Sequence, residues 1–349
     1  MKILYLFNRV KKDEIGRVKK GEDHDDHFFG MLRLSTYGVE ADYLEMEQYL
    51  PQFLATFLRK YILNIHFAHL PLFPLFFKYD MVFTSTAFGS FFLKTILGIK
   101  KPKWVLFDYN LTGLIGKRQT LKQKLLYYVV SHADGIVTIS EGEERALRTL
   151  FHDKKIAFIH LGTDVDFFKP KEVEEENFIL SVGRDPGRDF KILFESVKDL
   201  DIEVKITARP HQLKQWGAIP SNVTVRDFSP REIALQYARA KLVVLPLGIR
   251  GGQENDTMGC STLVEAMAMG KPIVATRTSA MESYIEEGIN GVLVPGGDSK
   301  ALRTAIKKLL RNKDERIKLG ERARAYAVEH CSADMFASAL ADFFKHIKK

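Results

Sequence analysis

The chain has 349 residues, 46% of them apolar and 28% charged, a composition that fits two globular domains with ample cores and excludes a disordered chain. Its formal net charge of +8 suits anionic partners such as nucleotide diphosphates, lipid headgroups or nucleic acid, without choosing among them. Cys260 and Cys331 stand alone and far apart, which excludes a disulfide framework and a cysteine zinc site and makes a reducing cytosol the expected location.

Met1 to Phe7 is too short an apolar run for a signal peptide, and Ile3 to Phe7 reads as a buried first strand. The loop after it, Asn8 to Asp26, has no Gly-x-Gly-x-x-Gly, which argues against a dinucleotide-binding dehydrogenase. Within it, Asp23-His24-Asp25-Asp26-His27 offers metal-ligand residue types. Adjacent side chains rarely converge on one ion, so the expectation is a solvated helix start and no metal site. A helix through Leu34 and a strand near Ala41–Leu44 follow. Leu50 to Phe77 is apolar and aromatic, and reads either as a buried helix pair or as a face that lies on a bilayer. Its uncharged part, Tyr61 to Phe77, is short for a membrane span and carries Pro71 and Pro74.

Asp80–Thr84 and Trp104–Phe107 read as strands, with Asp108 at the end of the second, where open α/β sheets present ligand-binding groups. From Lys94 to Lys124 eight Lys and Arg face one acid, Asp108, which makes either a solvated basic face or a surface for an anionic lipid or phosphorylated acceptor. Ala133 to Glu141 is a strand feeding a helix, with Ser140 and Glu143 spaced as a capping box. Lys155 to Pro170 and the charged Glu172–Glu176 lead into a second half.

There Phe178–Val182 is a strand running into Gly183-Arg184, with Arg188 beyond Pro186-Gly187. Val204–Ala208 and Val223–Arg226 are short strands, and Pro230–Arg239 an amphipathic helix. Leu242–Leu247 is a nearly all-apolar strand, as buried parallel strands are. A polar loop from Gly248 to Met258 then enters Gly259-Cys260-Ser261-Thr262-Leu263-Val264-Glu265, a turn and a helix N-cap of Ser261 or Thr262. The free amides of that helix start make an anion site. Thr262-x-x-Glu265 also fits a capping box, in which Glu265 would touch no ligand. Gly270 and Pro272 end the helix, Ile273–Thr276 is a strand, and Asp334–Lys348 is a last amphipathic helix.

The stretch from Asp256 to Thr276 resembles the nucleotide-sugar site of glycosyltransferase family 4, the group 1 glycosyltransferases, and the likeness extends from Ala133 to His330. It implies an α/β chain of GT-B architecture, two Rossmann-like domains facing across a cleft. Residues 1–168 would bind the acceptor, 169–331 the nucleotide sugar, and 332–349 would form a helix crossing back to the first domain. It assigns donor binding to Gly183, Gly259, Cys260, Ser261, Thr262 and Glu265, with Glu265 on the ribose hydroxyls. It gives Arg184 and Arg188 the diphosphate and, through it, the catalysis. The family signature has a further Glu at position 257, where this chain has Thr257, so Glu254 is the nearby acid that can take its place. Relatives often place a His near Asp108 against the donor sugar; Asp108, His27, Glu254 and Thr257 are therefore the candidate sugar or acceptor contacts.

The activity so implied is retaining transfer of a hexose to a hydroxyl of a glycan or lipid-linked acceptor. No cofactor and no metal are expected; the nucleotide diphosphate sugar, UDP favoured over GDP, is a co-substrate. An anionic membrane surface is a candidate partner, with the chain peripheral at the cytoplasmic face. No nucleic-acid motif accompanies the charge. Thr257 in place of Glu keeps open a catalytically silent nucleotide-sugar-binding protein, and the fold keeps open a non-hydrolysing sugar-nucleotide epimerase.

Overall fold

A computed structural model of the chain describes all residues except 9, 59–60, 62–66, 68, 184–186, 209–215 and 249–257, and the side chains of 52 and 56. The chain divides into two compact units, Met1–Lys19 with Phe28–Ile159 and Phe336–Lys349, and Lys20–His27 with His160–Met335.

The first unit is built on six parallel strands, β1 (Lys2–Leu6), β2 (Glu40–Tyr43), β3 (Met81–Thr84), β4 (Lys103–Phe107), β5 (Gly135–Thr138) and β6 (Lys155–Phe158), in the order β2-β1-β3-β4-β5-β6. Alternate residues serve opposite faces of the sheet. Leu4, Val82, Trp104, Leu106 and Ile136 join one core with Ala55, Phe76, Phe91 and Val129 of the covering helices. The other face receives the helix Ala333–Lys348, whose Phe344 ring lies 5.2 Å from Phe83. Gly135 leaves room for it, because a Cβ there would stand 2.7 Å from Ile347 Cδ1.

In place of the helix expected through Leu34 there is a 3-10 helix, Met31–Tyr37. It starts after Phe29 and Gly30 at positive φ, and a Cβ on Gly30 would meet the Ala337 backbone at 3.2 Å. The apolar Leu50–Phe77 stretch is part core and part surface. Ala55, Leu72, Phe73 and Phe76 are buried, whereas Phe53, Phe57, Tyr61, Phe67 and Phe77 are exposed. Among the described residues no helix is long and apolar enough to cross a membrane.

The second unit has six parallel strands, β7 (Phe178–Val182), β8 (Glu203–Thr207), β9 (Val223–Arg226), β10 (Leu242–Leu245), β11 (Ile273–Thr276) and β12 (Val292–Val294), ordered β12-β11-β10-β7-β8-β9. The winding reverses between β7 and β10, the place where doubly wound sheets open a crevice at their strand ends. The units change over at Ile159/His160 and Met335/Phe336, where the sequence had suggested 168/169 and 331/332, and Lys20–His27 packs with the second unit. Hydrogen bonds account for that capture. Thr163 Oγ1 and the Asp164 amide donate to Asp26 at 2.7 and 2.6 Å, and Arg231 Nη2 donates to the Gly21 carbonyl at 2.9 Å.

Candidate functional site

The loops leaving β7 and β10 are tied together. The Gly248 amide donates to the Gly187 carbonyl and the Asp189 amide to the Pro246 carbonyl, while Arg188 forms a β-bridge with Leu247. This short pairing fixes Arg188 at the switch point, where it is largely buried. Its guanidinium lies over Gly183, so that a Cβ at 183 would overlap Nε and approach Cζ to 2.6 Å. Nη2 donates to Thr262 Oγ1 at 3.1 Å.

Thr262 stands in the first turn of the helix Cys260–Ala268. The N-cap is Gly259 at φ 87°, without a side-chain cap, rather than Ser261 or Thr262. Leu247 crowds the same glycine: a Cβ on Gly259 would lie 3.2 Å from its side chain. The capping-box alternative for Glu265 therefore falls, because Glu265 is inside the helix and accepts instead from Tyr237 Oη at 3.0 Å. The first amides of a helix have no intrahelical acceptor, and here they open beside Arg188. Cys260 is buried at this start, and burial pushes its thiol up to about 12, so it packs as a neutral group. Ser261 is exposed.

Glu265 is one turn beyond Thr262 on the same face. Burial raises its carboxyl to about 7, with the positive His24 pulling the other way. The segment expected as a solvated helix start supplies that charge: Asp23, His24 and Asp25 are buried, not solvated. His24 Nδ1 lies 3.1 Å from Asp26 Oδ2, and its ring packs edge-on against Phe168 at 4.9 Å. Burial alone would discharge the imidazole, but Asp26, Glu265 and Asp23 outweigh it and raise His24 to about 9. Asp26 is lowered: burial opposes its charge, and His24, Thr163 and the Asp164 amide overcome it.

His24, Asp26 and Glu265 bring ligand-type atoms within 4.8 Å of one another, as do Asp23, His24 and His27. His24 and Glu265 edge a cavity of about 220 Å³ that also meets His27, Gly183, Thr207, Phe228, Ile233 and Thr262. The lining combines apolar Phe168, Phe228 and Ile233 with Glu265, and Arg188 lies against its Gly183 and Thr262. The lining thus offers apolar contact, a carboxyl group and, through Arg188, a cation.

Of the site residues expected from sequence, Gly183, Arg188, Gly259, Cys260, Ser261, Thr262 and Glu265 come together here, with His27 at the cavity. Arg184, Glu254 and Thr257 lie outside the described residues. Asp108 is instead fully buried in the first unit, where its Oδ1 accepts from the Leu111 amide at 2.6 Å. Burial and the neighbouring Glu143 raise it well above the ordinary carboxylate range, so it holds a turn rather than reaching a sugar. The Ser140 box is half formed: Ser140 accepts from the Glu143 amide, but the Glu143 carboxylate turns to Thr112. Sequence reasoning set His24 and Asp26 aside as a solvated helix start and missed Tyr237. For Tyr237 the signal was its place on the buried face of Pro230–Arg239, one turn beyond Ile233.

The sequence profile of the family described as "Glycosyl transferases group 1" matches residues 177–312. A D-inositol 3-phosphate glycosyltransferase of Corynebacterium urealyticum is 26% identical over 254 residues, 63% of this chain and 58% of that protein. Three of the curated relatives are matched over 58%, 22% and 63% of their own length, so the chain spans less than two thirds of each. Among solved structures, the sucrose-phosphate synthase of Thermosynechococcus elongatus matches 99% of both chains with a TM-score of 0.71 at 16% identity. Anabaena Alr3699/HepE in complex with UDP-glucose matches 99% of this chain and 100% of its own with a TM-score of 0.70 at 15% identity. At such identities the likeness is one of fold, and the fold is GT-B.

Proposed function

We propose that the chain, whose residues 177–312 match the group 1 glycosyltransferases, transfers a hexose from a nucleoside diphosphate sugar to a hydroxyl of a glycan or lipid-linked acceptor, with retention at the anomeric carbon. The observation that carries this reading is the meeting of Gly183, Arg188, Thr262 and Glu265 at the reversal between β7 and β10.

In this reading the base packs against Phe228 and Ile233 of the cavity, and Glu265 accepts hydrogen bonds from the ribose diol. The diphosphate lies along the amides of Cys260 to Thr262 and the Arg188 guanidinium. UDP is the favoured carrier; the similar Anabaena protein has been solved with UDP-glucose. The bond from the anomeric carbon to the diphosphate oxygen breaks as the acceptor oxygen bonds to that carbon on the same face. The acceptor proton passes to the departing diphosphate. Negative charge then grows on the diphosphate, where a fixed guanidinium and helix amides stabilise it most. Arg184 is assigned the same task from its place in the sequence.

A thermal-shift screen of nucleoside diphosphates and their sugars, followed by product analysis with and without acceptor, tests the proposal. A ligand at a hundred times its Kd stabilises by about 2.7 kcal/mol. Transfer predicts UDP release together with a glycosylated acceptor. Epimerised donor without acceptor, or binding with no turnover of any donor, would replace transfer by epimerisation or silent binding. No shift with any nucleotide would remove the site itself.

A further inference from the structure

We propose that the helix-covered side of the first unit docks on a bilayer carrying anionic headgroups. Every exposed Phe and Tyr ring among the described residues lies in the first unit. Four of them, Tyr49, Phe53, Phe57 and Tyr61, recur at every fourth position, and Phe53 is 76% exposed. On the helix Gln52–Phe57 this inverts the usual order, since small Ala55 is buried and the large rings face outward.

A second helix, Leu121–Val130, repeats the inversion with Leu121, Leu125 and Tyr128 exposed at spacings of four and three, Leu121 by 83%. Both helices bury their other faces in the same core, through Ala55 and through Val129 and Val130, on one side of the sheet. Their exposed stripes therefore look away from the sheet on that one side.

Charge selects the occupant. Residues 109–133 contain no acid, while Lys117, Arg118, Lys122 and Lys124 are exposed there, and the preceding Asp108 is buried. Protein interfaces are depleted in lysine, whereas aromatic rings flanked by basic side chains suit the headgroup boundary of an anionic bilayer. Apolar insertion and charge attraction are the two contributions that stable peripheral attachment requires.

The inference stands apart from the transfer reading, because no donor takes part in its test. The full chain is sedimented with vesicles of neutral lipid, and with vesicles containing roughly a quarter anionic lipid, at low and high salt. Binding should need the anionic lipid and fall as salt rises. Lys122→Glu with Lys124→Glu should weaken it about tenfold or more. Phe53→Ser with Phe57→Ser, and Leu121→Ser with Leu125→Ser, should each weaken it severalfold while leaving the melting temperature near that of the wild type. The proposal is overturned if the wild type stays in the supernatant, or if both apolar pairs bind like the wild type. It is overturned equally if the wild type without vesicles is a dimer that Phe53→Ser with Phe57→Ser dissolves, since the face would then belong to a second copy.

Discussion

At the scale of single residues, Glu265 is a carboxylate held against the interests of the fold. Its group rises from an ordinary value of 4.5 to about 7, so the folded state takes up a proton that the unfolded chain has released. Stability from this group therefore falls as pH rises from 4.5 to about 7, the opposite of a salt-bridged acid. Glu265→Gln should leave the melting temperature at pH 8 unchanged or higher, yet weaken UDP binding by about 1.5–3 kcal/mol, the range for hydrogen bonds to a charged group. Calorimetric affinity within threefold of wild type would reject the ribose role. His24 has the same pH slope for the opposite reason, because in it the charged form is favoured. With its value raised from 6.5 to about 9, its contribution is full below 6.5 and is lost as pH climbs through 9. Its charge also helps Glu265 ionise. UDP affinity should consequently rise as pH increases through about 7, and His24→Asn should move that rise upward. An unmoved titration profile in the folded variant would mean that His24 packs without tuning the carboxylate.

The elements that build the site act through backbone pairing. Arg188 owes its place to the bridge with Leu247 and to the space left by Gly183. Gly183→Ala should push the guanidinium off the diphosphate line and imitate Arg188→Ala in kinetics. Because diphosphate charge grows as the glycosidic bond breaks, both variants should lose kcat more than they raise KM. A change in KM alone would make Arg188 a binding group only. The elements themselves were largely legible. Continuous apolar runs gave the buried strands β7, β10 and β11, and the glycines at 183 and 259 marked where the backbone is closely approached. Their refinement was not legible. The helix at 260 begins on Gly259, because Leu247 leaves no room for a side chain there and the positive φ suits glycine. Asp23 to His27 looked solvated because its polarity was judged alone; its partners, Thr163, Asp164, Phe168 and Glu265, are far away in sequence.

At the scale of the whole molecule neither unit is continuous: the returning C-terminal helix was expected from the family resemblance, whereas sequence order hid the transfer of Lys20–His27. The first half lends Lys20–His27 to the second unit, and the chain's last residues complete the first. A linear reading finds a boundary where the composition changes, but it cannot see a segment whose hydrogen-bond partners lie more than a hundred residues away. The C-terminal helix makes the consequence measurable. Phe336, Leu340, Phe344 and Ile347 are each at most 2% exposed, and they cover the sheet face formed by Phe83, Phe107 and Gly135. Burying a side chain of this size contributes about 1.5–3 kcal/mol, so four together supply roughly 6–12 kcal/mol, as much as a domain's net stability. Polar ties add orientation, with Lys155 Nζ on the His346 carbonyl at 2.9 Å and Lys103 Nζ on that of Ile347. Removing residues 336–349 should therefore unfold the first unit while the second, with its own core, persists. Hydrogen exchange of the truncated chain should lose protection in β1 and β3 to β5 and retain it in β7, β10 and β11, and UDP should still shift the surviving melting transition. Protection retained in β1 and β3 to β5 would show that the sheet face closes without the helix, and uniform loss in both units would show that the two fold as one.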